Sequence, residues 1–218
     1  VSSVSYSTPR SDEPGLLRIG QPSSLTAEPA ERADAARNRA LLLDAAQQLV
    51  REHGVAGLTM DALAKRAGVG KGTVFRRFGN RSGLMLALLD HSEQKFQTSF
   101  MFGPGPLGPD ADPVERLIAF GRTRLLDIEL EGDLHRAAEE KGRFGDGPYA
   151  LHRAHIVLLL RTAGVRGELA LIADGLLATL SAALVLHQME VLGYTRAQIG
   201  DNWEWLVRRV VSPAAQVE

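Results

Sequence analysis

The sequence predicts an all-helical protein in which a three-helix head built around a helix-turn-helix is followed by a longer helical body. Three observations predict it. The stretch Thr59 to Phe78, TMDALAKRAGVGKGTVFRRF, reads as two short helices joined by a tight turn. Apolar residues recur at helical spacing through most of the chain after residue 33, with Gly- and Pro-rich breaks between the runs. Charge is unevenly placed: the net is only -1, yet residues 31 to 82 hold 10 Lys and Arg against 5 Asp and Glu.

Residues 1 to 32 carry Pro9, Pro14, Pro22 and Pro29, many serines and no apolar periodicity, so a flexible tail is expected. A helix is expected from Ala33 to His53, with Leu42, Ala45, Ala46, Leu49 and Val50 on one face and Gly54 as its stop. Arg37 and Arg39 sit early on it, where they would meet a phosphate backbone if the helix lay across a duplex.

Thr59 caps the second helix, whose apolar side is Leu63, Ala64 and Ala67, and Gly68 ends it where a left-handed backbone costs least. Val69 plugs the turn. Gly70-Lys71-Gly72-Thr73 opens the third helix, with Val74 and Phe78 inward and Lys71, Thr73, Arg76 and Arg77 outward. That outer side supplies cations for phosphates and donors for base edges. An ordinary solvated basic face is the plainer alternative.

A turn at Gly79 to Ser82 leads to a connector helix, Gly83 to about Phe100, which marks the start of a body domain over 83–211, after a head over 33–82. GPGPLG at 103–108 matches a dinucleotide-site pattern by letter, but two prolines occupy it and no strand precedes it, so it is a linker. Further helices are expected at Pro113 to Leu130, Leu134 to Glu140, Tyr149 to Thr162, Glu168 to Leu192 and Thr195 to Val211, with 212–218 a tail. The IVLLL end of the 149–162 helix is expected to be buried on all sides. His152 and His155 have a chelating spacing without a matched third ligand, so no metal is expected.

With no cysteine there is no disulfide frame, thiolate site or Cys nucleophile, and no cofactor is expected. No run approaches about 18 uninterrupted apolar residues and no signal pattern opens the chain, so a cytoplasmic protein with no membrane role is expected.

The helix ending in HG followed by GLTMDALAKRAGVGKGTVFRRFGNRSGLMLALL, about residues 35 to 90, resembles the DNA-binding domain of tetracycline-repressor (TetR) family regulators. The resemblance implies that Thr59 contacts a phosphate, that Lys71 and Thr73 reach bases or backbone, and that Arg76, Arg77 and Arg81 hold phosphates. Two positions depart from the family pattern. Gly70 replaces a Ser and caps less well, and Phe75 replaces a Tyr, so a phenol-to-phosphate bond is lost and Phe75 packs.

For the rest of the chain the resemblance implies a ligand-binding and dimerisation domain, a homodimer paired through the last two helices, and double-stranded DNA with an inverted repeat as partner. Small residues at Gly175, Ala178, Ala182 and Ala183 permit such close pairing. The expected function is a repressor, not an enzyme, released by an unidentified small molecule, with Phe96, Phe100, Phe120, Tyr149 and His152 as candidate pocket residues. The competing reading is a helical interaction module that has lost specific DNA binding. A catalytic pair of Asp174 and His187 is set aside because 13 residues separate them on one expected helix.

Overall fold

The computed structural model describes residues 27–139 and 147–212, and among them every regular element is an α-helix. The helices are α1 (Ala27–Gly57), α2 (Met60–Ala67), α3 (Lys71–Phe78), α4 (Arg81–Phe102), α5 (Pro113–Glu139), α6 (Gly147–Thr162), α7 (Leu169–Ala178), α8 (Ala182–Glu190) and α9 (Arg196–Val211). Contacts divide the chain into two units, Val1–Arg37 and Asn38–Glu218, and the sites described below lie in the second.

α1 begins six residues before the expected start, so part of the predicted tail is helix; residues 1–26, 140–146 and 213–218 lie outside the described residues. Gly54, at φ 67 and ψ 175, breaks α1 where the stop was expected, although helical hydrogen bonding resumes to Gly57.

Thr59 accepts from the Ala62 amide at 3.0 Å, and Gly68 closes α2 in the left-handed region at φ 65, donating back to Ala64 and Lys65. Gly70 stands at the N-cap of α3 without a side-chain bond. Asn80 caps α4 by accepting from the Gly83 amide at 2.9 Å.

Two buried clusters result. One gathers Leu42, Ala46, Leu49, Val50, Leu58, Leu63, Val74, Phe78, Leu84 and Leu88, together with Leu134 from α5. The other is built from Phe96 and Phe100 onward, through Phe120, Ile128, Ile156, Leu176, Val185 and Trp203. α4 contributes its first half to one cluster and its second half to the other, so head and body share a single rod rather than meeting at residue 82.

Four expectations are corrected. The two helices predicted at 113–130 and 134–140 are one, α5, bent at Glu131 (φ -129, ψ 23). Conversely, the helix predicted over 168–192 is two: Thr179 and Leu180 leave it, and the Ser181 hydroxyl caps α8 by accepting from Leu184. Leu169–Glu190 is apolar enough by hydropathy, 2.2, to cross a membrane as one rod, contrary to the sequence expectation, but it is cut into pieces of 10 and 9 residues. Lastly, α6 is not buried all round, since Leu158 is 52% exposed while Ile156, Leu159 and Leu160 are buried.

α9 lies against α5 through Trp203, whose indole N–H donates to the Leu117 and Ile118 carbonyls at 3.1 and 3.2 Å. Gly121 makes this possible: a Cβ there would meet the Trp203 ring at 2.1 Å.

Candidate nucleic-acid interface and interior cavities

Helical spacing puts Val74 and Phe78 of α3 inward and leaves Lys71, Phe75 and Arg76 exposed, with Thr73 and Arg77 half-buried at the margin. Six of the predicted DNA-contact residues, Gly70, Lys71, Thr73, Phe75, Arg76 and Arg77, thus fall within one short stretch at α3. Its N-terminal amides have no capping side chain, which leaves donors for an anion. Lys71 extends over the Phe75 ring at 5.8 Å and pairs with Asp61 of α2 at 2.7 Å. Phe75, at 41% exposure, is therefore not a packing residue as expected; it stands on the outer face beneath the lysine ammonium.

Thr59 is spent on its own helix as an acceptor, which leaves its hydroxyl proton for an outside oxygen. Arg39 stacks over Phe78 at 5.2 Å. Arg37, in the other unit, donates to Asp34 at 2.8 Å.

Arg81 differs from its sequence reading. Its Nε donates to the Leu58 carbonyl at 2.8 Å and an Nη to the Val55 carbonyl at 2.6 Å, so the guanidinium ties the loop after Gly54 to the start of α4 instead of standing free for phosphate. Arg66 likewise forks onto Glu52 of α1. The Asp61 to Lys71 and Glu52 to Arg66 pairs went unread in the sequence, because residues 10 and 14 apart meet only across the turn and the bundle.

In the body, the candidate pocket residues separate. Phe96, Phe100 and Phe120 pack on one another with centroids 4.9 to 5.6 Å apart, and His155 lies 4.3 Å over Phe100. Phe96 and Phe100 are filled core. Phe120, Tyr149 and His152 line a cavity of about 130 Å³ with Arg124, Asp174, Leu177, Ala178, Leu180 and Ser181. Asp174 holds the Tyr149 hydroxyl at 2.8 Å and Arg153 at 2.7 Å, and this ion pair, not any partnership with His187, accounts for it.

A second cavity, about 380 Å³, opens at the break between α7 and α8 and is walled by Thr179, Leu184, Gln188, Tyr194, Asn202 and Trp203 among others. A single helix over 168–192 would leave no such opening, which is why the sequence does not predict this cavity.

Behind the smaller cavity the interior is polar. His152 Nε2 lies 2.7 Å from Glu93, with Arg124 at 3.7 Å. Burial pulls the Glu93 carboxyl up, but His152 and Arg124 outweigh it and hold the group at about 2. Burial pushes Asp127 up to about 6, against the opposing charge of Arg124. It also lowers His155 to about 4 and His135 well below the ordinary value. Among the described residues no group of three or more His, Cys, Asp or Glu is placed to hold a metal.

Two eight-residue helices joined by a tight turn and packed behind α1 define a helix-turn-helix protein. The sequence model of the bacterial regulatory proteins of the tetR family matches residues 42–88. The likeness to that family thus lies in the head of the chain, from the middle of α1 into α4. An HTH-type transcriptional regulator of Staphylococcus aureus is 35% identical over 69 residues, which are 32% of this chain and 37% of that protein; the chain thus spans little over a third of the curated relatives it matches.

Among solved structures, a putative TetR-family transcriptional regulator from Rhodococcus sp. superposes with a TM-score of 0.61 at 18% identity, over 81% of this chain and 100% of the other. SmeT, the repressor of the Stenotrophomonas maltophilia multidrug efflux pump SmeDEF, superposes with a TM-score of 0.53 at 21% identity, over 83% and 95%. These likenesses are of fold.

Proposed function

We propose that the chain is a DNA-binding transcriptional repressor that reads an inverted repeat as a homodimer and is released by a small molecule. The observation that carries it is α3, whose outer side bears Lys71, Thr73, Phe75 and Arg76 while Val74 and Phe78 anchor it. One such helix buries too little surface for tight specific binding, so two related by a two-fold axis are needed, about 34 to 36 Å apart.

The apolar residues left exposed near the C-terminal end, Leu184, Val191, Leu192, Tyr194 and Trp205, support pairing with a second copy. The two cavities support an effector site. SmeT is a repressor, which favours repression over activation by analogy alone. The cytoplasm is the compartment in which this reading places the chain.

In-vitro selection of bound duplexes tests the reading. The expected result is a palindromic site with half-sites about one helical turn apart, bound on the order of a thousandfold more tightly than random DNA. Equal binding of selected and random duplexes returns the chain to the interaction-module reading. Sedimentation of the free protein as a monomer at micromolar concentration removes the preformed dimer.

A further inference from the structure

We infer that Glu131, at the bend of α5, is a positioning residue through which the reading head and the body of the protein report their state to each other. The inference rests on the DNA-binding reading.

Glu131 is 1% exposed and carries the non-helical backbone angles that bend α5. Its carboxylate accepts from the Gln47 side-chain amide at 2.6 Å and from the Ser92 hydroxyl at 2.6 Å, and Arg51 stands 3.3 Å away. Gln47 and Arg51 are one turn apart on α1, the first helix of the head, and Ser92 is on α4. The same face of α1 continues outward: Lys95 of α4 donates to Gln47 at 2.9 Å and to Asp44 at 3.1 Å, and Asp44 lies 2.8 Å from His91. Three helices from the two clusters are thus joined at one buried carboxylate.

The next residue on α4 is turned about 100° from Ser92 and meets other partners. Glu93 meets His152 and Arg124, which line the smaller cavity. On α5, Gly132 follows Glu131 and lets Leu186 of α8 approach so closely that a Cβ would meet it at 2.6 Å. α8 in turn supplies Leu184 and Gln188 to the wall of the larger cavity. The α5 bend therefore touches elements of both cavities on one side and α1 on the other.

A buried carboxylate is a poor choice for stability alone, because well-packed apolar side chains of similar volume serve a core as well or better. Its directional bonds, however, break together if α5 straightens or turns by a fraction of a turn. The intact network and the broken one are then the two arrangements that coupling between distant sites calls for. Coupling is reciprocal, so DNA itself can serve as the probe: binding at α3 must alter the body through the same residues.

The test uses the full chain with a duplex from the selection experiment, and hydrogen exchange of α5 and α6 amides measured with and without that duplex. In the unmodified protein the duplex is expected to change exchange around residues 124–135 and 149–160 by about fivefold or more, the low end of coupling between sites. Glu131→Gln and the milder Ser92→Ala are expected to bind the duplex within a few-fold and to lose the remote change. Val55→Ala, which loosens the head without touching the network, is expected to keep it.

Duplex binding with no remote change in the unmodified protein overturns the inference and leaves the functional reading intact. Retention of the change in a folded Ser92→Ala or Glu131→Gln variant overturns it as well, as does its loss in Val55→Ala. Failure to bind any duplex removes both.

Discussion

Lys71, the first residue of α3, holds its ammonium 2.7 Å from the carboxylate of Asp61 on α2, with both side chains more than half exposed. The lysine is thereby aimed before any partner arrives, and an acid sits beside the surface proposed to meet phosphate. Removing that acid separates aim from charge. Asp61→Asn is expected to tighten duplex binding several-fold at low salt with no measurable change in unfolding midpoint, because exposed pairs contribute little to stability. Lys71→Ala is expected to weaken binding and lower the slope of log K against log salt by about one. Fluorescence anisotropy across a salt series measures both.

Thr73 lies at the half-buried margin of α3, where a hydroxyl meets a base edge or a neighbouring phosphate. Thr73→Ala is expected to reduce preference for the selected site over random DNA while leaving the salt slope unchanged. Competition gel shifts with the two duplexes read the ratio directly.

Arg81 is bound to the Leu58 and Val55 carbonyls, and the consequence is opposite to a phosphate clamp. Arg81→Ala is expected to cost about 2 kcal/mol of stability, as two charge-assisted bonds to backbone carbonyls are lost and Val55 keeps only its bond from the Leu58 amide. The salt slope of the folded fraction should not change. Urea unfolding and anisotropy on the same samples distinguish this from Arg76→Ala, for which the slope falls and stability holds.

Asp127 is held at about 6 by burial, above its ordinary 3.8, so folding favours its protonated form. Between about pH 4 and 6 the native state binds more protons than the unfolded state at this group, and its contribution to stability therefore falls as pH rises. Asp127→Asn mimics the protonated form. The variant is expected to exceed the parent by on the order of 2 kcal/mol at pH 7 and to converge with it near pH 4. Chemical unfolding at the two pH values checks the sign.

Gly121 leaves room for the Trp203 ring, and Gly121→Ala forces a Cβ into it. The substitution is expected to cost about 1 to 3 kcal/mol, as overpacked cores do, and to change the near-ultraviolet dichroism of Trp203 as its bonds to Leu117 and Ile118 loosen.

The head was legible in the sequence because its information is local. Thr59 caps the amide three residues on, Gly68 supplies the left-handed turn, and Val74 and Phe78 share a face one turn apart, all within the reach of a single helix or turn. The break at Thr179 to Ser181 was not legible, since Ala and Leu flank it on both sides and only Ser181 capping α8 marks it. Nor was the bend at Glu131 readable as a bend; the sequence showed an interruption, and whether two helices or one bent helix filled it depended on Gln47 and Ser92, 84 and 39 residues away.

By itself, then, the chain's order of residues determined that helices form, where most of them start and stop, and which side of α3 faces out. Only the tertiary structure decided that Arg81 serves the backbone, that Phe96 and Phe100 fill space instead of lining it, and that a buried carboxylate joins α1 to α5. Helix periodicity and caps act over a few residues and are written in neighbours. The partner of a guanidinium, an aromatic ring or a carboxylate is set by which helices pack together, and that depends on all of them at once.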